Sequence, residues 1–498
     1  MLTRRSALGV LAGPAVRSQP RQRWNLLFLM ADDHAGYVFG ADGNHKADTP
    51  NLDRMASESM RFARHFCNSP VCTPSRQSIF TGQMPHMAGV TRLSTPLSDD
   101  KPTLAHQLKS AGYRTAVFGK MHFNRNPFPG QHGFDVPMTE LAIDAAWRKD
   151  VHPRPVPAEI ATKKLPWRPF QEPARIWLDA DHLPYPAAYE EMKGTYVARQ
   201  AERFLEENRH QHFALWVSFM EPHSPFDFPV EDRTCYSPAD FSAPKAGPHD
   251  AGQIPLIFRE LSDPDKSGIA ASYYTSVRFL DRNLGVVLDK LRALNLDQNT
   301  FVIYTADHGY LLGQHGRFEK HCGYDPALRV PLLMRFPGGT RTDVIYEFTE
   351  HIDLSATILD MLEIDPLPVT HGQSLRPYLE RGRSSTPRNH TFSEYLENEE
   401  AYIRTARYKF IYCTGRRARQ DGYVTDKPTP GRYVRLFDLD NDAGEFENIA
   451  ARRPEHVRAF QKLMLERFRQ THPEADREPS QASIEGALDF YLRPRDVD

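Results

Sequence analysis

Three stretches of this 498-residue chain end in residues able to hold a cation or an anion. Asp32-Asp33, Glu221-Pro222-His223 and Asp307-His308-Gly309 each follow directly on an apolar, β-rich run. Carboxylates and an imidazole from separate segments are the donor types of a divalent-cation site, and such a cation acts as a Lewis acid and activates a nucleophile. Adjacent carboxylates on their own more often mark a loop or a helix cap, so their company decides the reading. Five cysteines, Cys67, Cys72, Cys235, Cys322 and Cys413, form no CxxC pair, which argues against a zinc knuckle, a redox motif or a disulfide scaffold. Cys72 stands apart from the rest, in Pro70-Val71-Cys72-Thr73-Pro74-Ser75-Arg76-Gln77-Ser78-Ile79-Phe80-Thr81-Gly82. Basic residues that could bind an anion recur at Lys120, His122, His223 and Lys320.

The elements that must position these groups are legible as patterns. Trp24 to Ala31, Phe213 to Met220 and Thr300 to Ala306 read as buried strands. Thr103 to Ser110, Tyr189 to Glu207 and Tyr273 to Leu294 read as helices, the last with Val277, Leu280, Leu284, Val287 and Leu288 at helical spacing. Strands alternating with helices predict an α/β fold around a mixed, mainly parallel sheet flanked by helices. In such folds ligands gather beyond the carboxyl ends of the strands, where the three polar clusters fall. Farther on, Ala401 to Cys413 reads as one strand, Val434 to Leu439 as another and Pro454 to Gln470 as a helix, a smaller C-terminal domain with an antiparallel sheet. The division expected is a catalytic domain over 23–385 and a C-terminal α+β domain over 386–498. Pro153 to Pro186, rich in proline and tryptophan, reads as an insertion or lid.

The stretch around Cys72 resembles the signature of the formylglycine-dependent type I sulfatases at every constrained position. Gly112-Tyr113-Arg114-Thr115-Ala116-Val117-Phe118-Gly119-Lys120-Met121-His122 resembles that family's second signature, with Phe118 where a smaller residue is usual. The resemblance covers the chain from about Asn25 to about Gln470 and implies an alkaline-phosphatase-like fold. It also implies that a maturation enzyme oxidises Cys72 to formylglycine, whose hydrate has one hydroxyl to attack sulfur and a second to expel sulfate. Asp32, Asp33, Asp307 and His308, with an oxygen at position 72, are then the metal ligands. Ca²⁺ is the first expectation and Mg²⁺ the next; an imidazole ligand also admits Mn²⁺ or Zn²⁺. Arg76 is expected to hold carboxylates and nucleophile in register, Lys120 to bind formylglycine and sulfate, and His122 to orient the formylglycine hydroxyl. His223 and Lys320 match the sulfate-binding pair. His308 stands where asparagine is commonest, which resembles the iduronate-sulfatase-like branch and also occurs in choline sulfatases and phosphonate monoester hydrolases. The Asp32-Asp33 pair favours the sulfatase side.

A formal charge of −2 and 25% charged residues give no global attraction to nucleic acid or to an acidic membrane surface. No apolar run reaches the 20 or so residues that span a bilayer. Thr3-Arg4-Arg5-Ser6 before an apolar stretch to Val16 resembles a twin-arginine export signal, so residues 1–22 are expected to direct the chain to the periplasm or outside, with a disordered N-terminal tail and a cytoplasmic location as the alternative. The expected partners are a sulfated carbohydrate or small alcohol and the maturation enzyme. The rival of the same class is a phosphonate monoester or phosphodiester hydrolase, and the rival of a different class is a non-catalytic binding protein. Arg329-Val330-Pro331 and Leu436-Phe437-Asp438-Leu439 read as structural. His45, His65, His86 and His351 read as surface or core residues, His34 and His315 as near enough to touch substrate, and Cys322 as inert.

Overall fold

A computed structural model describes residues 23–124, 131–164, 177–244, 246–250, 252–384, 386–419, 422–426 and 431–495. The Arg4-Arg5 segment and positions 165–176 of the proline-rich insertion lie outside the described residues. Eight strands form the main sheet: β1 (Asn25–Ala31), β2 (Met60–Phe66), β3 (Arg114–Gly119), β4 (Val136–Met138), β5 (Phe213–Ser218), β6 (Thr300–Ala306), β7 (Leu332–Arg335) and β8 (Asp343–Glu350). Their order is β4-β3-β5-β1-β6-β7-β2-β8, and only β7 runs antiparallel to its neighbours. The three apolar runs are thus adjacent central strands, β5-β1-β6, buried along their whole length.

Such strands must be apolar on both faces because both are covered. Leu26, Phe28 and Met30 point into one layer with Ile79, Phe80, Leu354 and Ile358, contributed by helices Cys72–Thr81 and Ile352–Met361. Leu27, Leu29 and Ala31 point into the other, against helices Lys193–Glu207 and Asp263–Ala293. Each fully buried leucine or phenylalanine there stabilises the fold by about 1.5–3 kcal/mol. The long helix begins at Asp263 rather than at Tyr273. Its start is polar, but Ser262 and Asp265 cap each other reciprocally, with Ser262 N–H donating to Asp265 Oδ2 at 2.8 Å and Asp265 N–H to Ser262 Oγ at 3.3 Å.

The second sheet comprises β9 (His390–Tyr395), β10 (Glu400–Thr405), β11 (Tyr408–Cys413) and β12 (Tyr433–Asp438), all antiparallel in the order β12-β11-β10-β9. Ala401 to Cys413 is therefore a hairpin and not a single strand. The chain turns at Ala406-Arg407, which lacks glycine or asparagine, and Tyr408 N–H donates to Thr405 Oγ1 at 2.9 Å to close the turn. Helix Pro454–Thr471 lays Phe460, Met464 and Phe468 on this sheet, in a core that Met84 and Ile352 of the first lobe also enter. No described helix is long and apolar enough to cross a membrane.

Candidate active site

Strand register brings the distant polar residues to one level. Ala31 pairs with Ala306, Met30 with Ser218, and Ser218 with Gly119, so Asp32, Asp307 and Lys120 all emerge at the carboxyl edge of the sheet. Asp32 N–H donates to Glu221 O at 3.2 Å, which ties in the third cluster. Asp33 then turns the chain in the left-handed region, φ 65°, a conformation aspartate tolerates better than most residues. Tyr273 holds that turn, its hydroxyl donating to Asp33 O at 2.5 Å and accepting from Ala35 N–H at 2.9 Å.

Cys72 is the first residue of helix Cys72–Thr81, every residue of which is buried although most are polar. Its side chains are anchors. Thr73 Oγ1 donates to Leu93 O at 2.7 Å, Ser75 Oγ to Asp307 O, and Gln77 Nε2 to Met121 O at 3.1 Å and His122 O at 3.0 Å. Gly82 ends the helix at φ 64°, where its N–H reaches Ser78 O at 2.9 Å. The start of a helix carries partial positive charge, so position 72 favours an anion forming there.

Arg76 sits at the centre of the charge pattern. Nε donates to Asp307 Oδ2 at 2.8 Å, Nη2 lies 3.2 Å from Asp32 Oδ2, and Nη1 donates to Lys120 O at 2.6 Å and Ser218 Oγ at 2.8 Å. Its planar fork holds two carboxylates and the end of β3 in one frame. Lys120 forms an ion pair with Asp32, its Nζ 3.7 Å from Cys72 Sγ, and Lys320 Nζ donates to Asp33 Oδ1 at 2.8 Å and Oδ2 at 3.0 Å. Despite burial, Asp33 and Cys72 hold Lys320 above its ordinary pKa, and Asp32 does the same for Lys120, so both remain cations. Burial pushes the Cys72 thiol up to about 11, Asp32 adding to the rise and Lys120 opposing it.

The donor set suits a divalent cation. Ligand atoms of Asp32, Cys72, Asp307 and His308 lie within 4.8 Å of one another, as do those of Asp32, Asp33, Cys72 and His223. That is the span a single ion bridges with oxygen bonds of about 2.3–2.6 Å. His308 Nδ1 faces Gly309 O at 3.1 Å and Asp33 Oδ1 at 3.2 Å, both acceptors. The proton therefore belongs on Nδ1, and Nε2, 3.1 Å from Cys72 Sγ, presents its lone pair to the centre as a ligating imidazole does. Asp32 Oδ2 is buried with no hydrogen-bond partner among the described residues, its charge met only by the ion contacts.

The remaining candidates lie around this centre. His223 Nε2 is 4.0 Å from Asp33 Oδ2, and with 27% of its side chain exposed it is far more open than the carboxylates beneath it. Its Nδ1 meets Ser224 O at 2.7 Å. His122 Nδ1 lies 3.3 Å from Thr73 Oγ1, one residue along from the thiol. Burial, Lys120 and Arg76 keep His122 well below its ordinary pKa, and burial, Lys320 and Lys120 do so for His223. His34 and His315 do not face substrate. His34 is buried between Tyr304 Oη at 2.5 Å and Val38 O at 2.6 Å, and His315 stacks on Tyr324 with Nδ1 3.0 Å from Asp250. Cys322 is buried and its thiol is pushed up to about 12, consistent with an inert role. Missed by sequence reasoning was Glu140, whose Oε1 accepts from Met121 N–H at 2.7 Å and His122 N–H at 2.5 Å and fixes the loop after β3.

Comparison with known proteins gives this arrangement its relatives. A family model described as Sulfatase matches residues 24–364, and one described as N-sulphoglucosamine sulphohydrolase, C-terminal, matches residues 313–473. The choline-sulfatase of Rhizobium meliloti (strain 1021) is 26% identical over 451 residues, covering 86% of this chain and 82% of that protein. The iduronate 2-sulfatase of Mus musculus is 29% identical over 351 residues, covering 64% of this chain and 60% of that protein. Among solved structures, the phosphonate monoester hydrolase of Silicibacter pomeroyi superposes with a TM-score of 0.74 over 90% of this chain and 96% of that one. At 24% identity that likeness speaks for the shared alkaline-phosphatase-like fold alone.

Proposed function

The chain belongs to the sulfatase family and is a sulfuric ester hydrolase, and on that premise we propose that it cleaves sulfate monoesters of a carbohydrate or small alcohol with formylglycine at position 72 beside a divalent cation. The observation that carries the reading is the place of Cys72, at the start of a buried helix, with Lys120, His308 and three carboxylates gathered around its Sγ. Sγ here stands in for the oxygen of the aldehyde. A thiol held near 11 carries almost no thiolate at neutral pH, so the unmodified side chain is a poor nucleophile.

Hydrated formylglycine supplies two hydroxyls on one carbon, one for attack at sulfur and one for release of sulfate. Asp32, Asp307 and His308, whose ligand atoms gather with position 72, would hold a cation with Asp33 beside them, and it would supply Lewis acidity, with Ca²⁺ preferred for its oxygen-rich set and Mg²⁺ or Mn²⁺ as alternatives. Lys120 and Lys320 are buried and bring fixed positive charge to the sulfuryl oxygens, where a low dielectric makes such charge more effective. Arg76 keeps Asp32 and Asp307 from separating as charge builds. His223 donates from Nδ1 to Ser224 O, so Nε2 is the atom that takes up the proton released by the attacking hydroxyl and passes it to the leaving oxygen. Export to the periplasm or beyond, and maturation by a formylglycine-generating enzyme, complete the reading from Arg4-Arg5 and the Cys72 signature.

Peptide mass spectrometry across Cys72 with an aldehyde-reactive probe, after co-expression with the maturation enzyme, is the direct test. An aldehyde in place of the thiol is expected; an intact thiol in active protein would sink the mechanism. Turnover of nitrophenyl sulfate should exceed that of phenyl phosphonate esters. The reverse order would favour the phosphonate hydrolase reading, which the fold shared with that hydrolase keeps in view.

A further inference from the structure

A cavity of about 180 Å³ opens beside the nucleophile, with His223 in its wall. His223, a ring nitrogen of which lies within 4.8 Å of Cys72 Sγ, joins the cavity to the centre. Its floor carries Glu221, only 6% exposed, whose Oε2 has no hydrogen-bond partner among the described residues. A buried carboxylate oxygen left without a donor is costly, and native structures rarely keep one without a use. Two lysines nearby are already engaged, Lys193 Nζ 2.9 Å from Asp144 and Lys163 Nζ 3.0 Å from Asp227, while Arg148 in the cavity wall is exposed. Glu221 lines the cavity with no ion pair among the described residues, and burial pushes its pKa up to about 7.

Two neighbours fit it for a ligand. Gly194, near the start of helix Lys193–Glu207, lets the carboxylate lie close, since a Cβ there would fall 2.7 Å from Oε1. Trp147 also lines the cavity, and its Nε1 donates to Glu191 O at 2.9 Å, which pins the indole in place. An indole beside a free carboxylate suits a group that presents C–H or cationic surface to the ring and donors to the acid.

Resting on the sulfatase reading, we propose that this cavity receives the leaving alcohol and that Glu221 selects esters carrying a hydrogen-bond donor near the ester oxygen, either a sugar hydroxyl or an ammonium. A site built around a free acceptor discriminates against analogues that leave it unpaired. Glu221 is thus a specificity residue; the attack at sulfur proceeds without it.

The test compares kcat/KM for a monosaccharide O-sulfate, aminoethyl sulfate and nitrophenyl sulfate in wild-type enzyme, Glu221→Leu and Gly194→Ala. Gly194→Ala keeps the acid but displaces it, and alanine suits a helix, so it guards against misfolding of the first variant. In both variants the ratio of at least one donor-bearing ester to nitrophenyl sulfate is expected to fall by about tenfold or more, chiefly through KM, the scale of one charge-assisted hydrogen bond. The ester that loses identifies the donor as hydroxyl or ammonium. An unchanged ratio in variants that melt like the wild type overturns the proposal. Wild-type enzyme that cleaves no sulfate ester overturns the underlying reading first, before any variant is measured.

Discussion

Where the main sheet meets the C-terminal sheet, Glu350 and Asp353 are as deeply buried as the aspartates around Cys72, yet every one of their oxygens is matched. Glu350 Oε1 accepts from Phe392 N–H at 2.7 Å, and Oε2 from Arg467 at 2.8 Å and Asn68 at 3.3 Å. Asp353 accepts from Arg388 at 2.5 and 2.9 Å, from Glu350 N–H at 2.7 Å and from Gln373 N–H at 2.9 Å. Around Cys72 the acids are not satisfied: Asp32 Oδ2 is met by ion contacts alone, and neither it nor Glu221 Oε2 has a hydrogen-bond partner among the described residues. The pKa shifts part at Asp33, since Asp32, although burial raises it, is held well below the carboxylate range by Lys120, His223 and Arg76. Although burial raises it, Arg388 and Arg467 hold Glu350 below the carboxylate range, while burial pushes Asp33 up to about 7 against the pull of Lys320. Matched buried charge fixes a domain seam, and unmatched buried charge marks a place for a ligand.

The sharpest way to break that contrast is at the nucleophile. Cys72→Ala should lower nitrophenyl sulfate turnover by about 10⁴-fold or more, the scale of losing a covalent nucleophile, with little change in melting temperature. Retained turnover would place the chemistry elsewhere. The arginines come next. Arg76→Ala and Arg388→Ala each strand two buried carboxylates and should each cost about 3–5 kcal/mol of stability in chemical denaturation. Millimolar Ca²⁺ should restore much of the loss at Arg76, because a cation binding only the folded state replaces the missing charge, and none of the loss at Arg388. Rescue of both, or of neither, would erase the distinction.

How much of this could be read in the chain follows the same division. The strands before Asp32, Glu221 and Asp307 were visible because a strand buried on both faces must be continuously apolar, and an abrupt polar end is then informative. The residues named for Cys72, Arg76, Lys120 and His308 meet because register in a parallel sheet carries sequence-distant ends to one edge. The β10-β11 hairpin was missed because Ala406-Arg407 has no turn chemistry of its own; tertiary packing and Thr405 supply it. The first turns of helix Asp263–Ala293 were missed because a capping box offers no apolar period. Glu140 and the cavity around Glu221 could not be found from local pattern, since what defines them is a neighbour 18 or 19 residues away or a partner that is missing.

The smallest effect expected, and the one that tests the contrast most finely, is a pair of opposite pH trends. Glu350 has its pKa depressed by folding, so its contribution to stability is complete above its ordinary value near 4.5 and is lost as pH falls through the folded value. The melting-temperature gap between wild type and Glu350→Gln should therefore close on acidification. Asp33 is raised from 3.8 to about 7, so its contribution is complete below 3.8 and is lost as pH rises towards 7. In chelator, Asp33→Asn should gain on the wild type as pH rises through that range, by a shift of a few degrees. Divalent cation should abolish the Asp33 trend, because a bound ion favours the ionised acid, and leave the Glu350 trend in place. Gaps that move together with pH, or a cation effect on both, would mean that the two clusters differ in contents but not in kind.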